Sequence, residues 1–437
     1  MRRTRTLFML LLPLGVSAQQ KLLTLDEAIA TALQNNYNIL MAKNDSTAYA
    51  LDKSYINAGF IPRLNGSAQK VWNINAQKQE LPNGTKRDTT GIKSNNLQAS
   101  INLNWTLFDG LKMFILRDKL IEFDRLGGLG VKNQVVATIA SIVNSYFNVV
   151  RSKLQLKAID EQISINEERV KLADRKFNVG LGAKPELLQA KVDLNARKAA
   201  RLRQLTLIEQ LKEQLNQQMA ISLSTSYEVA DSIPINTELN LGDLQNGIAF
   251  TNPSLLIARK NIDISKLVVK ERKAERFPIL SFNSAYNFNR TQNKVVINQF
   301  TPLFNQNKGF NYGFGLTVPI LNNLNAKRLI EQAQLDVQYQ ELFYKNQISL
   351  IDVYLSNAFK NYELEKKSLA LEEENILLAK ENVSIALERF RQGVSTYLEL
   401  REAQISLEQA FDRLIAARYN TKLAETELLR LKGELIK

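Results

Sequence analysis

RKFNVGLGAKPELLQA at Arg175–Ala190 and ERFRQGVSTYLELREA at Glu388–Ala403 are one pattern written twice. Phe177 superimposes on Phe390, Gly180 on Gly393, Glu186 on Glu399 and Ala190 on Ala403, each pair 213 residues apart (393 minus 180). Upstream of the first copy, Leu156, Ile163, Val170 and Phe177 fall seven apart, with Ile159 and Ala173 at the intervening spacing. Upstream of the second, Leu369, Ile376, Val383 and Phe390 do the same, joined by Ala379 and Ala386. A sustained seven-residue apolar period predicts helices packed side by side as coiled coil. Downstream, Ala403, Ala410, Ala417 and Ala424 recur every seven beside Leu400, Leu407 and Leu414. Alanine at so many seam positions lets neighbouring helices approach closely.

These helices are long. No proline occurs between Lys112 and Phe177 or between Asn325 and Phe390, and about 65 residues at 1.5 Å each span roughly 100 Å. Gly127, Gly128 and Gly130 interrupt the first stretch and predict a bend or weak point there. Gly180 and Gly393 read as C-terminal caps, each followed by a short turn and a return helix starting near Pro185 or Thr396. Each repeat therefore carries a helical hairpin with its tip at the quoted stretch.

Just before each long helix the period changes from seven to two. In NLQASINLNWTLF, Leu97, Ala99, Ile101, Leu103, Trp105 and Leu107 alternate with polar residues; in GFNYGFGLTVPIL, Phe310, Tyr312, Phe314, Leu316, Val318 and Ile320 do so. This predicts strands with one apolar and one small, polar face. Each has a partner upstream, from Arg63 to roughly Ala76 and from Ile279 to Arg290. The connections within these hairpins are long and polar, as in the extracellular loops of outer-membrane barrels. A sandwich would need a second sheet, for which the sequence supplies no strands. If the apolar face meets lipid, four strands are too few for a closed barrel, which takes about eight, so several chains must pool them.

The ends and composition set further bounds. MRRTRTLFMLLLPLGVSAQQ opens with three arginines, an apolar stretch and small residues at Val16 and Ala18, the layout of a secretory signal cleaved after Ala18. No later run of about 18 apolar residues proposes a transmembrane helix. The chain has no cysteine and no histidine, which excludes disulfides, thiol-linked lipid, a His-based triad and a Cys/His zinc site. No GxxxxGK[ST] stretch is present, so nucleotide hydrolysis by that route is excluded. No cofactor or metal is expected, nor enzyme activity. The formal charge of +13 is scattered along helices among acidic residues, which reads as a solvated surface rather than a nucleic-acid site.

Taken in order, LTLDEAIATALQNN at Leu23–Asn36, IPRL and FPIL before the hairpins, LFDG at Leu107–Gly110 and the RF..G tips before Gly180 and Gly393 resemble the TolC-like outer-membrane efflux proteins across nearly the whole mature chain. The resemblance implies a mixed α and β membrane protein: long antiparallel coiled-coil hairpins and two transmembrane β-hairpins per chain, joined in a homotrimer as a 12-stranded barrel and α-helical tunnel. It implies an outer-membrane exit duct for drugs, ions or polypeptides, working with a periplasmic adaptor (membrane fusion protein) and an inner-membrane pump. The expected organisation is a signal at 1–18 and two repeats. The first, 19–234, holds a β-hairpin at about 62–107 and a helical hairpin at about 111–218; the second, 235–437, holds them at about 278–320 and 325–435. DSIPIN at Asp231–Asn236 reads as the linker.

Members of the family tend to carry carboxylates just after the second tip glycine, lining the narrowest part of the tunnel. The matching positions are Glu399 and Glu402, with Glu186 as the first-repeat counterpart. Glu399 and Glu402 are i, i+3 on one helical face; the plainer reading is that carboxylates in a helix's first turns complement its positive end. Some relatives place a tyrosine before the tip glycine and an arginine after it to latch the closed state, where this chain has Phe390 and Ser395. A second reading is an exported periplasmic coiled-coil adaptor or structural rod without a membrane barrel; it leaves the two lipid-type β-hairpins unexplained.

Overall fold

The structure, a computed structural model, describes residues 22–295 and 300–435; the expected signal at 1–18 lies outside the described residues. In chain order the elements are α1 (Leu25–Asn35), α2 (Tyr37–Ser54), β1 (Arg63–Glu80), β2 (Lys86–Phe108), α3 (Lys112–Asn178), α4 (Lys184–Met219), α5 (Leu241–Gln245), α6 (Ile248–Thr251), α7 (Pro253–Ala274), β3 (Ile279–Asn293), β4 (Phe304–Thr317), α8 (Asn325–Arg391) and α9 (Tyr397–Lys432). The chain divides into two compact units, one of residues 43–130 and 254–347 and one of the remainder.

The repeat is legible in backbone geometry. α3 and α8 are each 67 residues long, and α4 and α9 are each 36; within each pair the starts are 213 apart (325 minus 112). Immediately before α3, Gly110 and Leu111 are left-handed (φ 74° and 71°); before α8, Asn323 and Leu324 are too (φ 55° and 60°). Two consecutive left-handed residues are costly for side chains, so their recurrence marks one junction used twice. Asn36 donates from Nδ2 to Gln218 O at 2.7 Å, at the end of α4, and Asn252 donates to Leu431 O at 2.7 Å, at the end of α9. Each repeat thus fastens its second hairpin helix to its own amino-terminal helices with the same bond, satisfying a helix-terminal carbonyl that would otherwise lack a partner.

The 43–130/254–347 unit is built on one antiparallel sheet, β1-β2-β3-β4. The register sets Gln69, Gln98, Asn289 and Asn307 side by side, as it does Asn65, Asn102, Ala285 and Asn311. That face carries mostly amides, serine, threonine and glycine, with Val71, Ile92 and Ala285 among them and Arg63 at its start. The other face carries Leu64, Trp72, Ile101, Tyr286, Phe310 and Phe314, all exposed. β1 and β4 each leave one edge unpaired, a template for further strands. Helices of the same unit are tied by charge and rings: Lys112 to Glu275 at 2.7 Å, Lys119 to Glu271 at 2.8 Å, Lys260 to Glu122 at 2.6 Å, and Tyr49 stacked on Phe123 with centroids 5.9 Å apart.

α3 continues as helix through the glycine cluster. Gly127 is required by packing, since a Cβ there would lie 2.9 Å from the Tyr49 ring. One window of α3 is, by length and composition alone, apolar enough to cross a membrane, contrary to the expectation of none. Its physical reason is burial: Ile139, Ile142, Val143, Tyr146, Val149 and Val150 form the core of the other unit with Ala28, Ala32, Leu215 and Met219.

The polypeptide between α4 and α5 is clasped in that same unit. Leu22 bridges Glu228 in parallel, and the Tyr146 hydroxyl donates to Leu23 O at 2.9 Å while accepting from Ala230 N at 3.2 Å. Further on, Asn236 N donates to Glu425 Oε2 at 3.0 Å and Tyr362 Oη donates to Asn236 O at 2.6 Å.

Candidate functional site

At both hairpin tips the long helix closes in a Schellman arrangement. Leu181 N donates to Lys176 O and Gly180 N to Phe177 O; in the second repeat Val394 N donates to Arg389 O and Gly393 N to Phe390 O. Both glycines sit at φ 78°, where a side chain would be strained. The two phenylalanines differ. Phe390 is 3% exposed, packed with Ala173, Leu187, Ala190, Tyr397 and Leu400, whereas Phe177 is 38% exposed. The same asymmetry runs up the stripes: Leu369, Ile376 and Val383 are buried, while Leu156, Ile163 and Val170 are half-buried.

Glu399 and Glu402 are exposed and Glu186 half-exposed, in the first turns of α9 and α4. Among the described residues none of the three forms an ion pair. Glu399 also serves its helix: Thr396 Oγ1, the N-cap, accepts from Glu399 N at 3.2 Å and reaches Glu399 Oε1 at 3.4 Å. The capping role and an outward carboxylate therefore coexist at this residue. Ser395 Oγ is buried without a hydrogen-bond partner, so it ties nothing across the tip.

A different set of residues joins the hairpins. Arg169, at 1% exposure, donates from Nη2 to Asp193 Oδ2 at 2.7 Å and from Nη1 to Gln404 Oε1 at 2.7 Å. Asp193 also accepts from the Tyr397 hydroxyl at 3.0 Å and from Gln189 at 2.9 Å, with Arg401 Nε 3.4 Å away. The Arg169 guanidinium lies 5.1 Å from the Tyr397 ring centre, within cation–π range. Nearby Arg197 pairs with Glu408, and Lys176 donates to Phe390 O at 2.7 Å while resting on the Phe390 ring. The first hairpin supplies Arg169, Asp193 and Lys176; the second supplies Tyr397, Arg401 and Gln404.

Sequence reasoning passed over this hub because it followed the apolar stripe. The signal was beside it: Gln155, Gln162, Arg169 and Lys176 form a polar seven-residue stripe on α3, and Asn166 interrupts the seam between Ile159 and Ala173. Gln162, Asn166 and Arg169 are buried, more so than Ile163 and Val170.

Burial alone would raise the Asp193 carboxyl, but hydrogen bonds from Gln189 and Tyr397 and the Arg169 charge hold it below its ordinary value. Burial pushes the Tyr397 phenol up to about 12, against the opposing Arg169 charge, so it stays a donor at neutral pH. A depressed folded-state carboxylate contributes stability above its unfolded value that is lost as pH falls through the folded one. Thermal stability of the unmodified protein should therefore fall more steeply on acidification below about pH 4 than that of Asp193→Asn; parallel curves would show that the hub does not sense acid.

Long helical hairpins together with a four-stranded antiparallel sheet, exposed on its apolar face and open at both edges, are the combination found in the folds of outer-membrane channels. Residues 28–220 and 248–434 match the family described as Outer membrane efflux protein, and the chain belongs to that family. Proteases secretion protein PrtF of Dickeya chrysanthemi is 22% identical over 362 residues, 78% of this chain and 75% of that protein. Outer membrane protein TolC of Escherichia coli (strain K12) is 21% identical over 371 residues, 80% of this chain and 72% of that protein. The Campylobacter jejuni CmeC outer membrane channel shares the fold, with a TM-score of 0.74 at 17% identity over 94% of this chain and 87% of that one. The protein is an outer-membrane efflux channel, placed in the cell outer membrane.

Proposed function

We propose that three copies of this chain assemble as a homotrimer, pooling their sheets into a twelve-stranded barrel with the apolar face toward lipid and the amide face toward the pore. The observation that carries this reading is the sheet itself: among the described residues it has four strands, two unpaired edges and an apolar face that stays largely exposed. The duct is passive and not an enzyme, with a periplasmic adaptor and an inner-membrane pump supplying selection and energy for a tripartite efflux or type I secretion route. Its cargo is drugs, ions or polypeptides. Each chain contributes two structural repeats, 19–234 and 235–437, after a signal at 1–18. The hairpin tips at Gly180 and Gly393, beside Phe177 and Phe390, form the periplasmic constriction.

At that constriction Glu399, Glu402 and Glu186 would gather in the trimer as a ring of carboxylates that favours cations. Glu399→Ala combined with Glu402→Ala should move the reversal potential in planar bilayers toward that of a non-selective pore. Selectivity equal to the unmodified channel would remove these residues from the constriction. The oligomer itself is read on a denaturing gel: a barrel should migrate as a heat-modifiable species from the outer-membrane fraction, and a chain released by salt alone would contradict the reading.

A further inference from the structure

The two hairpins of the sheet superimpose at fixed offsets. Arg63 opposes Asn104 in the first and Ile279 opposes Thr317 in the second, so β3 repeats β1 at 216 residues (279 minus 63) and β4 repeats β2 at 213 (317 minus 104). The flanking helices keep these offsets: α7 follows α2 by 216 residues (253 minus 37), and α8 follows α3 by 213 (325 minus 112). The chain therefore contains one complete junction between repeats, the β2–β3 ladder. Its two open edges, β4 and β1, are the repeat equivalents of the strands that form that junction.

The same junction, moved by the offsets, specifies a seam between chains. Gln98 opposite Asn289 becomes Asn311 opposite Asn73. On the other face, Ala99 opposite Phe288 becomes Tyr312 opposite Trp72, and Leu97 opposite Arg290 becomes Phe310 opposite Ile74. Trp72, Ile74, Phe310 and Tyr312 are all exposed in the single chain. The β2–β3 register shifts between Thr106 and Phe108, and the equivalent of Thr106 is Pro319, which has no N–H to give a ladder. The transferred ladder thus breaks where the chemistry requires it to. Among the helices beside the sheet, the ion pairs Lys119–Glu271 and Lys260–Glu122 become Gln332 with Tyr55 and Asn44 with Leu335. Tyr55 and Leu335 are exposed, so apolar surface stands where the within-chain junction has charge.

We propose, on the basis of the trimer put forward above, that a second copy of this chain adds its β1 to β4 in the register that sets Asn73 opposite Asn311, Trp72 against Tyr312 and Ile74 against Phe310. A slip of one residue would set rings against amides. A slip of two keeps the faces matched, and the internal repeat alone excludes it.

The test is disulfide formation in the full-length protein, which has no cysteine of its own. Directly opposed residues of an antiparallel pair have Cα atoms about 4.5–5.5 Å apart, within disulfide reach, whereas diagonal neighbours at about 7–8 Å exceed it. β1 and β4 of one chain are three strand spacings apart, about 14 Å, so the bond cannot form within a chain. Asn73→Cys combined with Asn311→Cys, oxidised in outer membranes and boiled without reductant, should run almost entirely as covalently joined chains. Asn73→Cys with Gly309→Cys, or with Gly313→Cys, should give only a trace. Ser67→Cys with Thr317→Cys, at the other end of the seam, should bond like the first pair and decides if that pair does not assemble. Bonding through Gly309 or Gly313, or through none of these pairs while the heat-modifiable oligomer persists, would overturn the register and leave the trimer standing. Absence of the oligomer from the unmodified protein would overturn the trimer and the register with it.

Discussion

Gly110→Ala is expected to abolish most of the heat-stable trimer proposed for this chain in outer membranes. A Cβ at this residue would lie 2.3 Å from Ala274 O and 2.7 Å from Phe277 Cβ, and the first of these is backbone that cannot swing aside. The left-handed conformation alone is not the obstacle, because the adjacent Leu111 adopts φ 71° with a full side chain. Strain at φ costs about 1–2 kcal/mol, and forcing α7 away from the β2–α3 junction adds to it, so a total above about 3 kcal/mol is expected. Gly128→Ala is the matched control: nothing lies within 4 Å of a Cβ there, and glycine inside a helix costs about 0.8–1 kcal/mol relative to alanine. That variant should assemble at least as well as the unmodified protein. Equal recovery of Gly110→Ala would show that the junction can open without loss.

Arg169→Leu should produce the second large effect. Removing one partner of a buried pair costs about 3–5 kcal/mol because the other charge stays behind. Here the lower part of that range applies, since Arg401 remains 3.4 Å from Asp193 and the Asp193 side chain is 18% exposed. The measurement is thermal dissociation of the oligomer, read together with Arg169→Leu combined with Asp193→Leu. The double variant should recover part of the loss, as apolar replacement of a whole buried pair is close to neutral. A double variant as unstable as the sum of the singles would mean that the pair acts through packing alone.

Much of the architecture was readable from periodicity. A seven-residue stripe and a two-residue alternation are both imposed by backbone geometry, so Leu369 to Phe390 and Leu97 to Leu107 declared helix and strand without reference to anything else in the chain. Helix ends were readable where the backbone demands a particular residue, as at Gly180, Gly393 and the N-cap Thr396. The polar hub was not, because a buried arginine is stabilised by partners far away in sequence: Asp193 lies 24 residues on and Gln404 lies 235 residues on. No local pattern announces that. The reason for Gly127 was hidden in the same way. Gly127 exists to admit the Tyr49 ring, a requirement set by another helix, and the propensity cost it carries is offset by packing that a linear reading does not contain.

The rows of amides across the sheet have a consequence for whatever passes them. An amide offers a donor and an acceptor on one short side chain, so Gln69, Gln98, Asn289 and Asn307 can coordinate a cation through oxygen or an anion through nitrogen with equal ease. With that face turned to the pore, as proposed, the wall behaves as an immobilised polar solvent. A molecule sliding along it trades one hydrogen-bond partner for the next at nearly constant free energy, so friction against the exit wall stays low for solutes of either sign.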